Sequence, residues 1–449
     1  MIYFNIPNNN LKERSYIIDI LFGEFLGLDY EIKISEKDYE IVLENRNKLI
    51  IEDHFFSKYL SDLEYLKIEN IPKKVEFSKN KFIVESNLPI LYGSDKLEIK
   101  SKEFETIICG TDVFAASFFM LTRWEEHVNK VRDKHDRFPA YESFAFKEGI
   151  LDRPVVNEYV EMVWNMLVHL GIKQQRKKRR YKLHLTHDVD FILRYKSFGS
   201  SFQEIGGDLL KRYNLKLALN NLSNYIKTIL GVMKDPFDTF DYLMDISEEA
   251  GTKSYFFFMG KGTSNFDNGY ISSDKFVINL IKKIKKRNHF IGLHPSYNAY
   301  NNIVQFKSEK NELENNLKTD MFFGREHYLR FSIPNTWQVW EDNNMEWDST
   351  LGYADKEGFR AGVCYEYSVF NILTRKMLNL KEKPLIVMEG SFSTYQPDID
   401  ATEMEEKIKN LMSKVEKYQG DFVFLWHNSS FNTDIWKKYR HIYKNVINQ

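Results

Sequence analysis

The sequence predicts an α/β protein in two parts, a smaller α+β domain ahead of a larger one. Three observations carry that expectation. From residue 182 onward, apolar strand-like runs alternate with helical stretches, the pattern of parallel strands with helices packed outside them. Before that, Gly171–Arg180 forms a seam in which six of the eight residues from Lys173 are basic. Chemically useful polar residues then cluster at the exits of the strand-like runs, where α/β folds gather their active sites. The expected division is residues 1–170, a basic linker at 171–181, and 182–449.

In the first part, short strands are expected at Lys48–Glu52 and Lys81–Ser86. A helix is expected over Asp112–Lys130, capped by Thr111 or Asp112, and another over Val155–Leu170. In the second part, the strands are Lys182–Thr186, Ser254–Met259, Phe290–His294, Tyr328–Ser332, Phe359–Val363, Leu385–Glu389 and Phe422–Trp426. Helices fall between them at Pro236–Glu249, Ser273–Arg287, Lys307–Phe322, Thr336–Asn344 and Ala401–Lys417. Residues 191–235 interrupt the alternation with a mostly helical insertion. Its apolar residues recur at helical spacing from Leu209 to Met233, with Lys211, Arg212, Lys216 and Lys227 among them. That suits a lid or packing helix, and also an interfacial membrane helix.

Composition narrows the partners. The 449 residues carry 63 basic and 64 acidic side chains, so there is no global bias toward nucleic acid or anionic lipid. Cys109 and Cys364 cannot build a disulfide framework, and neither sits at zinc-finger spacing. The start lacks a signal-peptide pattern and no apolar run reaches membrane-span length, so a cytoplasmic protein is expected. Aromatic residues, at 15%, suit cores and sugar-stacking surfaces equally.

The most informative segment is Lys182–Asp190, KLHLTHDVD. In extended backbone the i, i+2 spacing puts Asp188 and Asp190 on one side. Two crowded carboxylates need a cation or a shared proton between them. His294 and His427 each end an apolar run, where an imidazole has little packing value. Arg330, paired with Asp188, would keep that carboxylate ionised and fix its direction. A metal hydrolase asks for these groups: ligands, a base, an acid and an open position for water.

Over residues 180–430 the sequence resembles the polysaccharide deacetylases, carbohydrate esterase family 4, with the NodB homology domain. Thr186-His187-Asp188-Val189-Asp190 is similar to the family's first motif, which implies Asp188 as catalytic base and Asp190 as a zinc ligand. His294-Pro295-Ser296-Tyr297-Asn298 resembles the second, metal-binding motif, with Asn298 where a second histidine is usual. Either Asn298 serves, or His187 or His327 completes the ligand set. Arg330 through Pro334 is similar to the third motif, whose arginine orients the base. Trp347-Asp348-Ser349-Thr350-Leu351 resembles a pocket-lining stretch, and Leu425-Trp426-His427 the last motif, implying His427 as general acid. The resemblance also implies a distorted, TIM-like (β/α)7 barrel, and the amino-terminal part resembles an accessory domain that precedes some bacterial deacetylases.

The expected function is thus a metal-dependent carbohydrate N-deacetylase, using a divalent metal, zinc, on an N-acetylated sugar. Tyr297, Trp347 and Trp426 are the candidate sugar-stacking residues, and Trp347 suits a core position equally. A lipid-linked or cell-surface polysaccharide precursor is the expected substrate, at the inner membrane surface. Two alternatives stay open: a non-catalytic carbohydrate-binding relative, and a C–N hydrolase acting on a non-sugar amide. The sequence does not fix the oligomeric state.

Overall fold

Alternation sets the amino-terminal sheet. In β1 (Ile2–Pro7) Ile2, Phe4 and Ile6 are all buried, while Tyr3 and Asn5 between them are less so. In the computed structural model, which describes residues 1–195, 215–267, 270–396, 398–433 and 435–448, β1 joins β2 (Tyr30–Ser35), β3 (Tyr39–Val42) and β4 (Lys48–Ile51). A short hairpin, β5 (Glu76–Ser78) and β6 (Leu88–Ile90), precedes β7 (Gly93–Ser101) and β8 (Glu105–Thr111). The six-stranded sheet runs β2-β1-β3-β4-β8-β7. Residues 81–86, expected as a strand, form turns and bends.

The helix expected over Asp112–Lys130 is two helices. Asp112 caps the first, Val113–Thr122, its side chain accepting from Ala115 N at 3.0 Å. Arg123 then takes φ 50°, and a short helix follows at Trp124–Val128. Every residue of Val113–Thr122 is buried, as an all-round apolar helix must be. The rings of Phe118 and Tyr16 reach Phe370 at centroid distances of 5.8 and 4.7 Å, so this core continues into the second part. Buried Arg360 bonds Glu126 across the same junction, and Arg123 bonds that carboxylate from its own side. The basic stretch also lies against the protein: Lys177 N donates to the Leu26 carbonyl, and the Arg179 guanidinium stacks 3.9 Å from the Tyr365 ring centre.

The second sheet holds β9 (Lys182–Val189), β10 (Ser254–Met259), β11 (Phe290–His294), β12 (Phe323–Gly324), β13 (Trp347–Asp348), β14 (Tyr367–Asn371), β15 (Lys376–Glu382), β16 (Val387–Met388) and β17 (Asp421–Leu425). Its order is β14-β15-β13-β12-β11-β10-β9-β17-β16, parallel everywhere except between β14 and β15. The sheet is rolled. Lys383 N bonds the Asp348 carbonyl beside β13, and Ile386 N bonds the Val423 carbonyl on β17. In a flat sheet those strands, five spacings apart, would be roughly 24 Å from each other. Three residues extend only about 10 Å. Among the described residues no strand pairing joins the two edges.

Two strands expected in the second part are not strands. Phe359–Val363 lies against the amino-terminal part instead, with Phe359 N bonded to the Leu151 carbonyl and Val156 N to the Gly362 carbonyl. Tyr328–Ser332 begins in a 3-10 turn, and the strand that takes its place is Phe323–Gly324, five residues earlier. Gly324 is required there, because a Cβ would sit 1.7 Å from the Leu293 carbonyl oxygen. Helices at Phe240–Glu249, Lys275–Lys286, Ile303–Leu317, Asn335–Asp342 and Ala401–Lys417 follow the expected order. Within the insertion, Leu215–Ile229 is helical; Lys211 and Arg212 lie outside the described residues. No helix among the described residues is long and apolar enough to cross a membrane.

Candidate active site

Because these strands are parallel, their carboxyl ends share one rim, and the segments after β9, β10, β11, β12, β16 and β17 bring titratable groups to it. The alternation in β9 selects which residues face inward. Thr186 and Asp188 face Arg325, whose Nη1 donates to Thr186 Oγ1 at 3.0 Å and Asp188 Oδ1 at 2.8 Å. His187 points the other way, beside the Phe256 ring at a centroid distance of 4.9 Å, with hydrogen bonds to the Trp426 carbonyl and Ser254 Oγ. Burial pushes its pKa down to about 3. A register of two therefore keeps His187 out of the site.

Asp190 lies just past β9, and three imidazoles surround it. Its Oδ1 is 3.1 Å from His294 Nε2 and 3.6 Å from His327 Nε2, and its Oδ2 is 3.7 Å from His427 Nε2. Burial works against the Asp190 carboxylate. The charges of His327 and His427 and the hydrogen bond and charge of His294 outweigh it and hold the group well below the usual carboxylate range.

The histidine tautomers follow from their second partners. A carbonyl only accepts, so His294 Nδ1 donates to the Arg325 carbonyl at 2.6 Å, which turns Nε2 toward Asp190. His327 Nδ1 meets Asp267 Oδ1 at 3.2 Å. Asp267 also accepts from the backbone of Tyr297 and Ser264, and these bonds with that of His327 overcome burial to keep it ionised. The ligand-type atoms of Asp190, His294 and His327 all lie within 4.8 Å of one another. Two imidazoles with Nδ1 occupied and Nε2 converging on one carboxylate fit a divalent cation such as zinc.

On the other side, His427 Nδ1 is 2.6 Å from Oε1 of the buried Glu389, which also accepts from His427 N and Ser430 Oγ. Burial lowers the imidazole pKa, yet Glu389 and the aspartates drive it up to about 10. Asn428 fixes this loop, its amide donating to the carbonyls of Phe191 and Phe237.

Several expected residues sit elsewhere. Asn298 is exposed and its amide donates to Thr263 Oγ1 at 3.2 Å, outside the cluster. Arg330 does not meet Asp188; its guanidinium bonds the carbonyls of His135 and Tyr297. The chain turns away between Arg325 and Arg330 because Tyr328 and Leu329 adopt φ of 61° and 53°. Two successive non-glycine residues in that region cost about 1–2 kcal/mol each. Trp426 is fully buried and Trp347 stacks on Phe323 at a centroid distance of 4.7 Å, so both are packing residues. Asp348 is buried beside Glu382, accepts from the Thr350 hydroxyl, and is pushed by burial up to about 7. Tyr297 borders the site, but its ring is buried, tilted on Phe266 at 4.4 Å between centroids and covered by the Arg330 guanidinium at 4.1 Å, so it too is a packing residue.

Arg325, Asp267 and Glu389 are the site residues the sequence reading missed. Their one legible signal is position: Arg325 directly follows the apolar Phe322-Phe323-Gly324, and Glu389 follows Leu385–Met388.

Among known proteins, residues 2–171 match a family described as a family of unknown function (DUF7033). No curated protein matches the chain. Among the solved structures that resemble it are two distant ones. One is assigned as a polysaccharide deacetylase from Mycobacterium smegmatis, at 13% identity and TM-score 0.38, covering 61% of this chain and 84% of that one. The other is the Xyl-CE4 domain of a multidomain xylanase from the hindgut metagenome of Trinervitermes trinervoides, at 16% identity and TM-score 0.22, covering 42% and 81%. Likeness at these scores is too loose to assign an activity, which rests on the chain's own geometry.

Proposed function

We propose that the chain is a metal-dependent carbohydrate N-deacetylase, with residues 182–449 as a barrel-like catalytic domain and 1–170 as its accessory domain. One observation carries this: a two-histidine, one-carboxylate cluster lies between an arginine-paired aspartate and a glutamate-held histidine. Asp190, His294 and His327 would hold the metal, zinc by the nature of the donors. When bound, it supplies Lewis-acid activation of water and charge stabilisation for an oxyanion.

The chain's own residues supply the proton transfers. Asp188, directed by Arg325, takes the proton of the water that attacks the acetamide carbonyl. His427, kept protonated by Glu389, gives its proton to the amine nitrogen as the C–N bond breaks and acetate departs.

The helix Leu215–Ile229 supports a substrate presented at a membrane, such as a lipid-linked precursor. Leu215, Leu219, Ile226, Ile229 and the following Leu230 form one exposed apolar stripe, with Lys216 and Lys227 beside it. With His327 beside Asp190 the ligand set does not depend on Asn298, which favours a catalytic over a non-catalytic reading.

A panel of N-acetylated sugars and cyclic or linear non-sugar amides, read for acetate and for ammonia with and without added zinc, tests the proposal. Zinc-dependent acetate release from a sugar is expected. Ammonia from a non-sugar amide would move the activity to another C–N hydrolase, and sugar binding without turnover would make the chain a binding protein.

A further inference from the structure

The amino-terminal part sends one loop across the rim of the site. In it, Asp133 Oδ2 pins Arg137, accepting from Nε at 2.8 Å and Nη2 at 2.7 Å. The same guanidinium donates to the Tyr328 carbonyl at 3.0 Å and the Tyr395 hydroxyl at 2.7 Å. Two residues earlier, the His135 carbonyl accepts from Arg330 Nε at 2.8 Å, and the His135 ring lies 4.7 Å from that of Tyr328. Arg330 in turn donates to the Tyr297 carbonyl and covers the rings of Tyr297 and Tyr300 at 4.1 and 3.9 Å.

Each attachment point is one step from a site residue. Tyr328 follows His327. Tyr297 donates its N–H to Asp267, the partner of His327. Tyr395 ends the helix that Glu389 begins. The left-handed pair Tyr328–Leu329 persists only where its surroundings hold it, and Arg137 grips the carbonyl of that pair. Arg137 is only 7% exposed, a buried cation whose remaining hydrogen bonds go to the two site-bearing segments.

We infer that the Asp133–Arg137 loop is a positioning element of the metal site. It fixes the turn that presents His327, which makes the amino-terminal part a working piece of the active centre. This rests on the proposed metal site, but its test separates the two. The full-length protein is stripped with chelator and titrated with zinc, alongside Arg137→Ala, Arg137→Lys, Asp133→Asn and Tyr395→Phe. Arg137→Ala is expected to weaken zinc about 10- to 100-fold, the usual loss when a residue supporting a ligand is removed. Arg137→Lys should recover part of this, since one ammonium cannot span the carbonyl and the hydroxyl as the planar fork does. In the metal-free protein, imidazole nitrogen spectra should show one His327 tautomer in the wild type and tautomer averaging in Arg137→Ala.

A folded Arg137→Ala with wild-type affinity and an unchanged His327 tautomer overturns the inference. Should Arg137→Ala not fold, Asp133→Asn and Tyr395→Phe decide: weaker zinc binding in either supports the inference, and unchanged affinity in both overturns it. If the wild type binds no zinc but the tautomer still responds to the loop variants, the metal reading falls and the positioning role stands.

Discussion

His294 and His427 stand on opposite sides of Asp190, end similar apolar strands, and differ in what holds their inner nitrogen. For His294 it is a backbone carbonyl, neutral and only an acceptor. For His427 it is the buried carboxylate of Glu389. A carbonyl fixes the tautomer without adding charge, so a cation that displaces the Nε2 proton facing Asp190 finds a lone pair there; a buried carboxylate adds a full charge that favours the imidazolium. The same side chain is thereby a ligand on one side and a proton donor on the other. His327 lies between these cases: its partner Asp267 is a carboxylate too, but one already shared with two backbone N–H groups.

The largest effects should come from breaking the two aspartates apart. Asp188→Asn is expected to lower acetate release by roughly 10²–10⁴-fold, the span of general base catalysis, while zinc content stays at wild-type level. Asp190→Asn should lose both the zinc and the activity, since Asp190, alone among the described residues, reaches all three imidazoles. Elemental analysis beside the rate assay reads both variants. An Asp188→Asn protein that remains active would break the division of labour between the two sides.

A smaller effect sharpens the histidine comparison. Glu389→Gln keeps the shape of the partner and removes its charge, so the His427 imidazolium loses its main stabiliser and its pKa falls. His427 then gives up its proton at lower pH. The alkaline limb of kcat/KM, expected between neutrality and about 10 in the wild type, should move toward acid by about one to two units. A cation on Asp190 draws the wild-type limb below that upper value but does not touch the Glu389 contribution. An alkaline limb that does not move in Glu389→Gln would remove His427 as the acid.

How much of this was legible depends on strand length. The strands β9, β10, β11 and β17 have five to eight residues, and their apolar runs named Asp188, Asp190, His294 and His427 at the exits. The strands β12 and β13 have two residues each, too few for a period to show. A longer apolar run nearby, Tyr328–Ser332, drew the strand assignment five residues downstream and put Arg330 where Arg325 belongs. Leu329 and Phe331 are indeed buried, but in a turn whose dihedrals the sequence does not announce. Phe359–Val363 misled for a different reason: its apolar residues bury against the amino-terminal helices, a tertiary contact no local pattern encodes. Asp267 and Glu389 gain their roles only from distant histidines, 60 and 38 residues away in sequence.

The smallest predicted effect tests that same lesson at the position where a familiar spacing was most tempting. Asn298 occupies the place of a second histidine four residues after His294, so Asn298→His would restore a familiar pattern on paper. In space the side chain is exposed and turned toward Thr263, while Pro295 and the bond from Tyr297 N to Asp267 hold the intervening backbone. A histidine there starts from an exposed direction held toward Thr263, not from the buried cluster. His327, reached through the strand Phe323–Gly324, already fills the third corner at 3.6 Å from Asp190. Zinc affinity and acetate release of Asn298→His are therefore expected within about twofold of wild type, as for an ordinary exposed substitution. His327→Ala in the same titration should lose most of the affinity. Tighter zinc binding in Asn298→His, with His327→Ala unaffected, would move the third ligand back to the loop after β11 and undo the assignment of the ligand side.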